Sequence, residues 1–184
     1  MEYLEYLDYF DSENNNKLGV EERSVVHDKG LWHREVSIWV VNQYNEVLLQ
    51  KRSPLKKIAP NKWSACAGHI EAGENIELAA VRELFEEVGL KADVKELIPI
   101  GVFRLESSNN NHYKYAYLVK TDKKITEYVL QDEEVSDVKY VTMEKLEKMI
   151  VDKDENTTFA GRDYAKIVIE KLKDICEVDN NGTK

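Results

Sequence analysis

Residues 34–41 (Arg-Glu-Val-Ser-Ile-Trp-Val-Val) alternate polar and apolar positions and then turn wholly apolar. That pattern predicts a strand half-buried at its start and buried on both faces at its end. Asn42-Gln-Tyr-Asn45 reads as a turn and 46–52 as a second strand, so 34–52 predicts a hairpin. Further strands are predicted over 63–66, 98–105, 112–119 and 138–141. Apolar residues at helical spacing predict helices over 75–88, 143–150 and 159–175, the second capped by Thr142. Upstream, residues 3–10 alternate aromatic or aliphatic with acidic positions. The polar turn 11–19 follows, and a strand over 20–26 would complete an N-terminal hairpin. The loop 53–62 holds two of the three prolines, and 177–184 reads as a frayed tail. Strands mixed with a few helices, without regular βαβ alternation, predict an α/β (α+β) sandwich. We read one domain, 1–184, with a hairpin extension at 1–30, a core at 34–151 and a C-terminal helix at 157–176.

Composition narrows the class. The 184 residues are 42% hydrophobic and 33% charged, enough apolar mass for a core and far from low-complexity usage. No apolar run approaches the ~20 residues needed to cross a bilayer. The net charge of −9 disfavours non-specific nucleic-acid or membrane partners. It leaves room for a local basic site that binds a small phosphorylated metabolite. Cys66 and Cys176 belong to no pair at metal-ligand spacing, and the acidic N-terminus is not a signal peptide. A reducing, cytoplasmic setting is the expectation. Oligomeric state is not legible, and a homodimer stays open.

The informative stretch is 68–90. With 75–88 on a helix at about 100° per residue, Glu83, Glu86 and Glu87 share an arc of about 100°. Leu78, Val81, Leu84, Phe85 and Val88 are expected on the opposite, core-facing side. Like charges three and four apart destabilise a bare helix, and a hard cation reverses that sign. A solvated acidic face is the plain alternative. Two features favour the cation. Gly68 and Gly89 frame the cluster, giving close backbone approach and a left-handed cap. Residues 51–62 carry Lys51, Arg52, Lys56, Lys57 and Lys62 without an acid, whereas 71–87 hold six Glu and one Arg. A cationic loop feeding a carboxylate cluster suits a metal–diphosphate complex.

Gly68, Glu74, Arg82, Glu83, Leu84, Glu86, Glu87, Gly89 and Leu90 stand at the spacing G-x5-E-x7-R-E-U-x-E-E-x-G-U, where U is aliphatic. In this the chain resembles the Nudix hydrolase superfamily, with every fixed position of that family's signature, the Nudix box, filled over 68–90. The resemblance implies an α/β/α sandwich around a mixed sheet and cleavage of a nucleoside diphosphate linked to another group, or of a related diphosphate. It implies Mg²⁺ or Mn²⁺ held by Glu83, Glu86 and Glu87, joined by a backbone carbonyl at Ala67 or Gly68. Arg82 would orient Glu83, and Glu74 would be structural. Glu83 is the expected base, with Glu133 and Glu134 as outside candidates.

Within that superfamily the chain is similar to the isopentenyl diphosphate isomerase branch. The carrying residues are His27, Leu31-Trp-His-Arg34, Leu48 to Ser53, Lys56, Pro60, Trp63 and Gly68-His69. This likeness implies a second metal site at His27, His33 and His69, and diphosphate contacts from Arg52 and Lys56. Structural histidines are the competing reading. Two departures point away from isomerisation: Ala67 stands where the isomerase has its cysteine, and the stretch 112–116 lacks its pair of acids. Cys66 is one residue early, which along a strand turns it to the other face. A diphosphatase is therefore expected. The alternatives are an isoprenoid diphosphate isomerase and a nucleotide sensor without turnover. Tyr113, Tyr115 and Tyr117 share a strand face and fit either a base-stacking platform or core packing.

Overall fold

The computed structural model describes residues 4–159 and 162–182, with side chains through Val178. A two-stranded hairpin, β1 (Tyr6–Phe10) and β2 (Lys17–Glu22), opens the chain and leads into a short helix, α1 (Arg23–Asp28). The core then runs β3 (His33–Asn42), β4 (Glu46–Arg52), β5 (Trp63–Ser64), β6 (Cys66–His69), α2 (Ile76–Val88), β7 (Ile98–Leu105), β8 (His112–Thr121), β9 (Val135–Thr142) and α3 (Met143–Val151). Helix α4 (Asp163–Gly182) closes it. Seven strands form a mixed sheet ordered β5-β4-β3-β8-β7, with β6 also paired to β3 and β9 to β4. The β3–β8 pair is parallel. Helix α2 covers one face over Val36, Ile38, Val40 and Leu48. Helices α3 and α4 cover the other over Trp39, Val41, Leu49 and Leu118. The expected layered α/β sandwich with a mixed sheet is therefore the fold. Among the described residues no helix is long and apolar enough to cross a membrane.

Local chemistry explains the turns. Asn42 Oδ1 accepts from the N–H groups of Tyr44 and Glu46 at 2.9 Å each, and Asn45 takes φ 59°, closing the β3–β4 hairpin. Asn75 caps α2 by accepting from Leu78 N–H at 3.0 Å, and Gly89 ends it at φ 64°. Thr142 caps α3 through Lys145 N–H at 3.2 Å, as predicted.

Five expectations need correction. The second N-terminal strand ends at Glu22, because 23–28 turns into α1 and buries Val26. The strand expected over 63–66 is two, β5 and β6, paired to different neighbours. The C-terminal helix starts at Asp163, because Thr157 bridges Trp63 and holds 156–158 extended against β5. The same helix continues through 177–182, expected to fray, while 183–184, 160–161 and Tyr3 lie outside the described residues. Finally, α2 is rotated from the expected face. Leu78 and Phe85 are exposed, while Ala80, Leu84, Glu87 and Val88 are buried. The apolar stripe is centred between Leu84 and Glu87, so two carboxylates flank the core instead of opposing it.

Candidate active site

Strand β6 lies beneath α2 and positions the box carboxylates. A Cβ at Gly68 would fall 2.0 Å from the Glu83 carboxyl carbon, so only glycine lets that carboxylate lie on the backbone. One residue earlier, Ala67 N–H donates to Glu87 Oε2 at 3.0 Å. Glu87 is 4% exposed. Burial, reinforced by the charge of Glu83, pushes its carboxyl up to about 8 despite hydrogen bonds from Gln50 and Ala67 N–H. Burial likewise raises Glu83 to about 7, against the opposing pull of Arg82. The two acids are crowded and desolvated, and Arg82 offsets only part of that penalty at Glu83.

Arg82 organises the rest. Its Nε and Nη2 grip both oxygens of Glu74 at 2.8 Å, and Nη2 also reaches His69 O at 3.1 Å. Its Nη1 donates to Glu83 at 2.9 Å and to Glu86 at 3.1 Å. The Glu74 hydrogen bond is the largest of the influences that raise this guanidinium further above its usual range. Glu74 thus fixes the fork, and the fork aims Glu83. Glu86 stays half-exposed at the rim.

The remaining predicted residues fall in two places. Arg52 turns onto its own loop, donating to Ile58 O from Nε at 3.2 Å and Nη2 at 3.0 Å. Lys56 pairs with the Glu134 carboxylate, whose charge is one of those raising Glu87. Cys66 is buried on the α2 side with its Sγ 3.8 Å from Gln50 Oε1, so it does not take the place of Ala67. Both cysteines are free. The three tyrosines of β8 are committed elsewhere. Tyr113 Oη donates to Asp11 O and Ser12 O, Tyr115 Oη accepts from Asn15, and Tyr117 packs in the α2-side core.

His27, His33 and His69 do converge, on the opposite face of the sheet. His27 Nε2 and His69 Nε2 lie 3.2 Å apart. Two residues that the sequence reading passed over complete the group. Glu35 stands on β3 with its Oε1 3.6 Å from His33 Nε2 and 3.6 Å from His69 Nε2. His112, the fourth and last histidine of the chain, places Nε2 3.3 Å from Glu35 Oε2. Lys114, the register partner of Glu35 across β3 and β8, binds the same oxygen at 3.0 Å. Burial alone would raise Glu35, but Lys114 and the histidines hold it well below the carboxylate range. Burial lowers His69 strongly and His112 to about 4. His33 and His112 each place Nδ1 3.1 Å from a backbone carbonyl, of Leu31 and Asn110. A carbonyl only accepts, so Nδ1 carries a proton in each, and each Nε2 faces the Glu35 carboxylate. Both Nε2 atoms are buried without a hydrogen-bond partner. Among the described residues, the ligand atoms of His27, His33 and His69, and of His33, Glu35 and His112, lie within 4.8 Å of one another. Strand alternation was the available signal for Glu35, two residues beyond His33 on one face. His112 becomes its neighbour only through the β3–β8 register.

The family model for the NUDIX domain matches residues 31–160. An uncharacterized Nudix hydrolase of Clostridium acetobutylicum is 36% identical over 157 residues, covering 81% of this chain and 75% of its own. An isopentenyl-diphosphate Delta-isomerase of Photorhabdus laumondii is 33% identical over 140 residues, covering 74% and 77%. A prenyl-diphosphate phosphatase of Methanosarcina mazei is 27% identical over 165 residues, covering 89% and 94%.

Proposed function

The chain belongs to the Nudix family, and within its hydrolysis of diphosphate linkages we propose a divalent-cation-dependent cleavage of a small phosphorylated metabolite at the α2–β6 site. The observation that carries this reading is the pair Glu83 and Glu87, two buried carboxylates pressed against β6 and raised to about 7 and about 8. Such a pair is unfavourable alone and suited to a hard cation. Glu83, Glu86 and Glu87, with the carbonyl of Ala67 or Gly68, are the residues that would hold Mg²⁺ or Mn²⁺. When bound, the ion supplies charge neutralisation at phosphorus and an acidified water.

The chain's own residues do the rest. Arg82, anchored on Glu74, fixes Glu83 over Gly68. Glu83 takes the proton of the attacking water. The water oxygen bonds to phosphorus as the bridging P–O bond breaks, and the leaving phosphate keeps that electron pair. Lys56, within the cationic loop, takes charge on the non-reacting phosphoryl group, while Arg52 shapes that loop. Chromatography of the phosphorylated products formed with Mg²⁺ tests the reading, across nucleoside di- and triphosphates, sugar nucleotides, dinucleoside polyphosphates, CoA and isoprenoid diphosphates. Saturable turnover of at least one class is expected. Saturable binding without turnover would support a sensor instead. Deuterium uptake from D₂O at the allylic position of isopentenyl diphosphate would restore the isomerase.

The unpartnered Nε2 atoms favour a second metal at His27, His33 and His69, extended by Glu35 and His112. At His33 and His112 the Nδ1 side is held by a backbone carbonyl, which orients Nε2 as metal-binding histidines are oriented. Cobalt titration followed by visible absorption checks it. A stoichiometric ligand-field band that His33→Ala abolishes is expected, and no band would leave the histidines structural.

A further inference from the structure

The Lys56–Glu134 pair has been assigned no task so far beyond the reach of Lys56 toward phosphate. It is held from both flanks. On one side Ser53 N–H donates to Glu134 O at 2.9 Å, Lys56 N–H donates to Ser53 O at 3.2 Å, and Arg52 is in register with Val135. On the other, Gln131 N–H reaches Glu87 O at 3.4 Å and Val129 N–H reaches Val88 O at 3.2 Å. The segment bearing Glu134 is therefore tied to both the cationic loop and the C-terminal end of the box helix. Its carboxylate faces Lys56 on one side and is felt at Glu87 on the other.

The side chains are 21% and 35% exposed. The pair is part-buried but not sealed, so both charged heads stay within reach of an incoming ligand. A carboxylate offers an ammonium the same thing that a phosphoryl group does: anionic oxygens at charge-assisted hydrogen-bond distance. Lysine serves phosphate as a point charge on a flexible stem, able to change partner by small rotations. We propose that Glu134 is an internal stand-in for the substrate: it holds Lys56 in the free protein and yields it to a phosphoryl group of the incoming diphosphate. Glu134 is thus a positioning residue acting through Lys56. The exchange trades one anionic partner for another, so Lys56 enters the complex already oriented, at the cost of weaker binding. This rests on the proposed diphosphate hydrolysis and adds a determinant of substrate affinity to it.

A mutant cycle tests the exchange, with methylenediphosphonate as a non-hydrolysable probe titrated calorimetrically into the full chain with Mg²⁺. Lys56→Met is expected to weaken binding about tenfold, and Glu134→Gln to tighten it about fivefold. The double variant is expected to bind like Lys56→Met, because the gain acts only through the lysine. A gain from Glu134→Gln that persists beside Lys56→Met would reduce Glu134 to a general negative charge and overturn the stand-in. Unchanged or weaker binding in Glu134→Gln would overturn it as well. Turnover by the wild type, read as formation of the phosphorylated products, separates the two claims: turnover with a failed cycle removes the exchange alone, whereas no turnover and no probe binding removes the proposed function with it.

Discussion

Two buried glutamates sit on opposite faces of the same sheet, next to the same short strand, in opposite electrostatic states. Glu87 is 4% exposed and accepts from Ala67 N–H on β6. Glu35 is 7% exposed and is in register with His69, two residues further along β6. Burial penalises both charges. At Glu35 the chain supplies its own answer in Lys114 and the surrounding imidazoles, and the carboxylate stays ionised. At Glu87 it supplies another carboxylate, Glu83, and the group is driven up to about 8. Burial depth therefore does not decide the state of an acid; the charges folded in beside it do. The fold compensates the charge of the first acid and leaves that of the second without a cation.

The sharpest way to break that comparison is turnover. Glu87→Gln keeps the shape and the Ala67 contact but removes a charge from the proposed cation site. With Mg²⁺ and any substrate the screen yields, kcat should fall by about two orders of magnitude or more, as loss of a ligand to a catalytic cation implies. Circular dichroism should show an unchanged fold. A variant with wild-type kcat would remove Glu87 from the site.

Stability of the metal-free protein should then move in opposite directions on the two faces. Glu35→Gln leaves Lys114, whose side chain is 12% exposed, buried without its counter-charge. The expected loss is about 3–5 kcal/mol by denaturant unfolding. Glu87→Gln should stabilise instead, and its pH dependence gives the sign. The folded-state value lies near 8 and the unfolded value at 4.5. The protonated form thus favours folding fully below 4.5, and that contribution is lost as pH climbs through about 8. Glu35 runs the other way: its folded value is below 4.5, so its contribution is present above 4.5 and lost as pH falls further. The metal-free Glu87→Gln variant should match wild type near pH 4 and exceed it by on the order of 2–4 kcal/mol near pH 9. Equal stability at both pH values would mean that Glu87 is not strained.

What the sequence disclosed, and what it withheld, follows the range of each signal. Strands β4 and β7 run over the predicted residues, because alternation and turn residues are local. The caps at Gly89 and Thr142 are local for the same reason, while Asn75, read as the first helical residue, is the cap of α2. The box spacing set Glu83, Glu86, Glu87 and Arg82 side by side on the helix. The burial of Glu87 was hidden, because helix rotation is fixed by what β6 offers, not by the stripe alone. Leu78 and Phe85 looked like core and are exposed. The start of α4 depended on a bridge between Thr157 and Trp63, far apart in the chain. His112 joins the histidines only through the parallel pairing of β3 with β8, and Glu35 meets His69 only through the register of β3 with β6.

The smallest effect makes the finest test, because it lies within one triad. Glu86 carries the same charge as Glu87, one residue away, but its side chain is 49% exposed and shares Arg82 at 3.1 Å. Water and the guanidinium already satisfy it, so the metal-free protein gains nothing by losing the charge. Glu86→Gln should leave the stability of that form within about 0.5 kcal/mol across the same pH range, as surface ion pairs generally do. A pH-dependent gain as large as that of Glu87→Gln would show that the strain belongs to the acidic cluster as a whole and not to the desolvated positions over β6.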